Sequence, residues 1–492
     1  MTTLLLFYTL LSSLYKVNSN NCIYLALFLC SIIELVQKYR HALIKLLPYK
    51  LLKKFKEHNI YNPNQNKFNK ESVILLSKNH KFDRDMMRQA NSSLVLRMLK
   101  EKGALSKTEL SKITKLTLPS ITSIISELES YNLINTLGQT PIKRGRFPVM
   151  YQLNYDAFYI IGVTIHSESI KTVIINLNGQ VKNNLTMPLP TNIDSHHVLE
   201  EVGLLVEKII KKSNIEKNEI LGVGVGMHGI VDPFNGIAIY PPHLGWRNIP
   251  ISEVLEKKLN LPVLVDNDCN ALALAERWFG KGVNLNSFIV MNVDYGIGAG
   301  IMISGNLFHG ADYGGGQIGH ITVNEDGPEC SCGNIGCLET LASESAILKN
   351  VRKKIQQGLE SILVEITNNQ PDSITLEHIY KAATMGDELA KQALKDAGHY
   401  LGIGISTLVN LFNPQQIIMT GNVLTGKEFI IQSLEDTVSK KSLNTNTWNL
   451  EITTSTLGRF SGAIGASTLW VDALFNGKIK MDELLQNRDY EH

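Results

Sequence analysis

Residues His320–Thr340 read HITVNEDGPECSCGNIGCLET and place three of the chain's six cysteines within eight positions. Three thiols and one imidazole (His320, Cys330, Cys332 and Cys337) make a donor set that zinc binds as a closed tetrahedron, with no position left for chemistry. Gly333 and Gly336 give the backbone room to wrap an ion. Six cysteines in 492 residues, half of them clustered, are not a disulfide framework. They predict a structural Zn2+ in a reducing, cytoplasmic setting. The alternative is a set of buried, unliganded thiols.

The rest of the chain supplies the context for this loop. Its length predicts two or three domains. With 44% apolar and 19% charged residues it has the composition of a soluble globular protein, and a net charge of +2 says little about partners. Residues 1–84 stand apart. LLLFYTLLSSLY and CIYLALFLCSII are apolar but too short to span a membrane, and KLLPYKLLKKFK with Asn-rich NIYNPNQNKFNK reads as a basic, solvated stretch. The expectation is a leader, poorly ordered or helical, ahead of a natural start near Met86. A membrane-surface anchor is the alternative, and no stable membrane association is expected.

Residues 85–153 carry helical periodicity in three short blocks. Leu94, Leu96 and Leu99 mark a first helix ended by Gly103. Ser106 and Glu109 form a capping box for a second, which carries Leu110 and Ile113. Ile121, Ile124, Ile125 and Leu128 form the inward face of a third. This is helix-turn-helix spacing, followed by two strands joined by a basic loop: a winged helix-turn-helix. The candidate DNA contacts are Ser106 and Lys107, then Ser120, Thr122 and Ser123 on the recognition helix, then Lys143, Arg144 and Arg146 on the wing. From Arg84 to Met150 eleven Lys/Arg stand against five Asp/Glu, an excess that fits phosphate. A protein-docking helical domain is the alternative.

From Tyr159 strands and helices alternate. YIIGVTI, KTVIINL, ILGVGVGM and LPVLVDND read as strands and ALALAERWFG as a helix, and near Ser287 the alternation restarts. Two α/β halves with a cleft between them place ligand groups at strand ends.

The stretches VDNDCNALALAE, GIGAGIMISGNLFHGA, GQIGHITV and CSCGNIGCLET, in this order, resemble the signatures of the ROK family of repressors, open reading frames and sugar kinases. The resemblance covers Tyr159 to about Phe475. It implies a two-lobed, sugar-kinase-like body of the actin/hexokinase type over 158–475, with a tail from 476. The preceding helix-turn-helix matches the repressor branch, most similar to xylose repressors. By resemblance, Asn267, Asp268, His320 and Glu339 bind sugar, with Gly229 and His243 lining the pocket and Gln317 standing where the family usually has Glu. Asp268 would be the catalytic base in a kinase.

The nucleotide side departs from the family. In VTIHSES, Thr164 replaces an aspartate while His166 and Ser167 replace glycines; in VDYGIGAG, Asp294 and Tyr295 replace Gly-Thr; Thr420 replaces a glycine in IIMTGNVL. Glycines let backbone N–H groups reach phosphate, and a carboxylate aimed there repels it. The expectation is therefore a repressor without enzyme activity that binds operator DNA as a homodimer or homotetramer and is released by a monosaccharide, xylose being favoured. A hexose kinase or a partner-controlled repressor is the alternative. Trp246 is expected either to stack on a sugar or to lie in the core.

Overall fold

The computed structural model describes residues 84–137, 148–166, 168–190, 194–241 and 244–479. The expected leader, the wing residues Lys143, Arg144 and Arg146, Ser167, His243 and the end of the tail lie outside the described residues.

Three helices come first: α1 (Arg84–Lys102), α2 (Lys107–Thr114) and α3 (Leu118–Ser130). Between and after them run β1 (Leu105–Ser106), β2 (Ile134–Leu137) and β3 (Met150–Leu153), in the antiparallel order β1-β3-β2. The expected capping box is present: the Ser106 hydroxyl and the Glu109 backbone and carboxylate satisfy one another at the start of α2. Leu110 is buried as expected, and so are Ile121, Ile124, Ile125 and Leu128. Ile113 is 44% exposed, because α2 ends one residue later at Thr114 and the next residue, Lys115, turns into the left-handed region.

The next strands build one five-stranded sheet: β4 (Tyr159–Ile165), β5 (Ser169–Asn176), β6 (Val181–Pro188), β7 (Ile220–Met227) and β11 (Val263–Asn267), in the order β11-β7-β4-β5-β6. A small sheet of β8 (Ile230–Asp232), β9 (Ile237–Tyr240) and β10 (Ile249–Pro250) stands beside it. Helices α4 (Ser195–Ser213) and α5 (Ile251–Leu259) cover one face through apolar stripes that include Val198, Val202, Val206 and Leu255. A second five-stranded sheet holds β12 (Phe288–Val293), β13 (Ile297–Ile303), β14 (Asn306–Leu307), β15 (Gln416–Thr420) and β16 (Glu451–Thr454), in the order β14-β13-β12-β15-β16. The two sheets repeat one design: an antiparallel three-strand meander, then two strands added in parallel beside the first.

Helices of the second half are α7 (Glu339–Ala342), α8 (Glu344–Gln356), α9 (Leu363–Ile366), α10 (Leu376–Thr384), α11 (Glu388–Phe412), α12 (Lys427–Lys441) and α13 (Asn444–Thr447). They enclose the largest core, centred on α11. Two helices exchange between the halves. α6 (Asp268–Phe279) leaves the first sheet and packs on β12 and β13; α14 (Ser461–Phe475) leaves the second and packs on β4 and β7. The close approach of α14 needs Gly162 and Gly224, where a Cβ would overlap the Ala463 and Ala466 carbonyls. One continuous core joins α1–α3, β2 and β3 to β4, β5 and α14. α6 begins three residues before the expected helix, directly on the strand-end pair Asn267 and Asp268. That overlap makes the expected ligand groups a helix's cap and first residue.

Candidate functional site

A cavity of about 1140 Å³ opens between the two sheets. Gly229, Asn267, Asp268, Gln317, His320 and Glu339 all line it, so the structure brings together every described residue of the expected sugar set. Trp246 does not line it; at 5% exposure it belongs to the core under α5, which settles its two readings in favour of packing.

Asn267 caps α6. Its Oδ1 accepts from the Cys269 and Asn270 amides at 2.9 and 3.2 Å, and its Nδ2 donates to the Gly229 carbonyl at 3.0 Å. A capping side chain satisfies N–H groups that the helix cannot, so Asn267 holds the cleft wall while one amide hydrogen remains for a ligand. Asp268 accepts the Cys269 amide at 2.9 Å. Burial raises its carboxyl above the usual range, opposed by His166 and the Cys269 amide. Burial likewise lowers His166, against the pull of Asp268. The two groups face each other in a site where charge is costly.

Beneath them Asp266, almost fully buried, accepts from the Asn267 amide at 2.6 Å and from Asn270 Nδ2 at 3.0 Å, and pairs with His309 Nε2 at 2.8 Å. His309 opens the glycine-rich loop HGADYGGG that leads to Gln317, and so ties the second half to the first next to the cleft-lining Asn267. Neither His166 nor His309 was expected as a support. Only position marks them, one inside a departed phosphate loop and one ahead of a run of glycines.

Glu339 starts α7 and accepts the Ile297 amide at 3.1 Å. Gly296 makes room for it, since a Cβ there would lie 2.6 Å from Glu339 Oε2. His320 and the three cysteines bring one donor atom each to within 4.8 Å of one another. Cys330 Sγ lies 3.6 Å from His320 Nδ1, and Cys332 Sγ lies 3.7 Å from Cys337 Sγ. Zinc–sulfur and zinc–nitrogen bonds of ordinary length at tetrahedral angles require about 3.6 Å for N···S and about 3.8 Å for S···S. The donor set and its spacing therefore fit a metal ion. With Nδ1 turned to the thiols, the ring's other nitrogen is the one left for the cleft.

The positions where phosphate loops were sought are occupied differently. Thr164 is 1% exposed, and its hydroxyl makes no hydrogen bond. Asp294 heads the turn from β12 to β13, donating its amide to the Gly296 carbonyl at 2.9 Å. Glu344 lies beside it; burial raises its carboxyl, Asn422 opposes this, and Asp294 and Glu168 add to it. Several carboxylates thus face this part of the cleft.

Among the candidate DNA residues, Thr122 and Ser123 are exposed on α3. Ser120 is half-buried and shares a 2.9 Å hydrogen bond with the capping Thr117 hydroxyl. Ser106 is buried in its capping box, so its hydroxyl serves α2 and does not face solvent. Lys107 places Nζ 5.4 Å from the Tyr151 ring centroid.

Two sheets of repeated design, two exchanged helices and a cleft lined with polar side chains define a sugar-kinase-like α/β protein. The ROK family profile matches residues 160–473. The "Xylose repressor" of Caldicellulosiruptor bescii is 34% identical over 372 residues, which are 76% of this chain and 93% of that protein. A solved ROK family transcriptional regulator, a homolog of the E. coli MLC protein, aligns with a TM-score of 0.72 at 30% identity over 82% of this chain and 99% of its own. A ROK family glucokinase from Streptomyces griseus, solved with glucose and AMPPNP, aligns with a TM-score of 0.58 at 26% identity over 63% and 98%. The chain belongs to the ROK family.

Proposed function

We propose that this chain is a sugar-responsive transcriptional repressor. The observation that carries the reading is that one cleft is lined by Asn267, Asp268, His320 and Glu339, which suit sugar hydroxyls, and also by Asp294 and Glu344, whose carboxylates would repel a nucleotide's phosphates. Asp268 then accepts a sugar hydroxyl and moves no proton to product. A structural zinc ion, held by His320, Cys330, Cys332 and Cys337, would fix the loop that presents His320 and Glu339. Gln317 can both donate to and accept from hydroxyls, where a carboxylate only accepts.

The residues from 85 to 153 are read as a winged helix-turn-helix, and those from 158 to 475 as the sensing body. The transcriptional regulator aligns over more of this chain than the glucokinase does, a difference large enough to hold α1–α3 and β1–β3. Helix α3, with Thr122 and Ser123 outward, would enter the major groove of operator DNA, while Lys143, Arg144 and Arg146 meet phosphate. Two copies of the chain would read two half-sites, and xylose is the favoured effector from the name of the bescii relative.

Calorimetry with a monosaccharide panel tests this, with and without ATP, followed by an assay for sugar phosphate. The proposal expects one sugar to bind with ATP making no difference and no phosphorylated product. Turnover of ATP with a bound sugar would move the chain to the kinases.

A further inference from the structure

Helix α6 has the ligand groups at one end and an aromatic contact at the other. Asn267 and Asp268 form its cap and first residue; Phe279 is its last. The two ends are about 17 Å apart at helical rise. Phe279 lies under Lys100 of α1, whose Nζ is 5.0 Å from that ring's centroid and 5.6 Å from those of Tyr155 and Phe475. Lys100 Nζ also donates to the Leu177 carbonyl at 3.1 Å. These partners come from four places: the end of α6, the end of α14, the link from β3 to β4, and the turn after β5.

The cage is firmly built and its occupant weakly held. The Phe279 ring is packed against the Gly179 turn so closely that a Cβ there would lie 2.8 Å from it. Trp278 donates to Asp472 of α14 at 3.2 Å, and its ring lies 5.3 Å from that of Phe475. Gln89 and Ser93 of α1 donate to the Gly477 and Leu474 carbonyls at 3.0 and 3.3 Å. Lys100 has no carboxylate partner among the described ion pairs, and burial pushes its ammonium down to about 8. A cation held by ring faces and one carbonyl is sensitive to small displacements, since ring attraction falls off with distance from the centroid.

We infer that Lys100 and its aromatic cage are the joint through which sugar in the cleft resets the DNA-reading helices, with α6 as the rod between them. The inference rests on the repressor reading above. α6 packs on β12 and β13 while its cap belongs to the opposite sheet, so a change in the angle between the halves turns it. Turning α6 moves Phe279 against Lys100, and α1 carries the core of α3 with it. A ligand shifts such an equilibrium only through its different affinity for the two settings. Lys100 is thus a positioning residue that touches neither sugar nor DNA.

The test compares the full chain with Lys100→Met, which keeps the stem and removes the charge, and with Phe279→Leu. Three quantities are read for each: operator affinity without sugar, sugar affinity, and operator affinity at saturating sugar. Both variants should leave the first two within about threefold of wild type, while the sugar-induced loss of operator affinity, on the order of 5–150-fold for ordinary coupling, shrinks to under about threefold. Amide exchange without any ligand gives a second readout: Lys100→Met should speed exchange in the last turns of α1 and α6 by about tenfold. A responsive wild type with equally responsive variants, or unchanged exchange in Lys100→Met, overturns the joint alone. A wild type that no sugar releases overturns the repressor reading, and the joint's role with it.

Discussion

Replacing Asp268 with Asn separates a binding role from a structural one, because the two have opposite signs. The carboxylate accepts the Cys269 amide at 2.9 Å through Oδ1. An asparagine can keep that bond with its own carbonyl oxygen and turn its NH2 group toward the ligand. What is lost is one charge-assisted hydrogen bond from a sugar hydroxyl, worth about 1.5–3 kcal/mol, or about 10–150-fold in sugar affinity. Stability should move the other way. Burial raises the Asp268 carboxyl, so the folded state holds its proton more tightly than the unfolded chain does. Such a group costs stability once the pH has risen past its folded pKa, and a neutral amide removes that cost. Calorimetric titration with the cognate sugar, together with thermal unfolding of the same samples, reads both effects. The expected result is a 10–150-fold weaker sugar at an equal or higher Tm, with operator affinity unchanged. Wild-type sugar affinity in Asp268→Asn would refute the placement of the ligand, and a lower Tm would refute the burial argument.

Other consequences follow from the same geometry. Sugar affinity should fall as the pH is lowered, and the fall should begin above the ordinary carboxylate range, because burial raises the Asp268 carboxyl and a protonated acid no longer accepts as a carboxylate; the slope should flatten in Asp268→Asn. Cys332→Ser should bind less than one zinc per chain by elemental analysis and lose sugar binding with it, since His320 and Glu339 sit on the metal loop; intact sugar binding after metal removal would contradict that role. Ser106→Ala breaks the capping box of α2 and should cost about 0.5–2 kcal/mol in denaturant unfolding. Neutralising Lys143, Arg144 and Arg146 together should weaken operator binding and reduce the magnitude of its salt slope by about 2–3, whereas an unchanged slope would place the wing away from phosphate.

The alternation of elements was readable because strands and helices leave periodic traces: β7 runs over the expected ILGVGVGM, and the capping box at Ser106 matches its sequence signature. The cluster of one imidazole and three thiols was readable because its donors are close in sequence. Supports that depend on distant contacts were not. Nothing in FHGADYGGG says that His309 will meet Asp266, 43 residues earlier, and nothing around Lys100 announces three rings drawn from Tyr155, Phe279 and Phe475. Periodicity also misplaced side chains at element ends. Ile113 has the right spacing to be inward, but the helix stops before a neighbour can cover it. Ser120 is polar and looks fully available, yet its hydroxyl shares a hydrogen bond with the capping Thr117.

The most direct measurement is fluorescence anisotropy of the full chain on DNA from around its own gene, at fixed salt, titrated with each of a panel of monosaccharides with and without ATP. The account predicts tight binding that one sugar, xylose first among those tried, weakens on the order of 5–150-fold, with ATP making no difference. Tight binding that no sugar alters would contradict it, and so would a response that requires ATP.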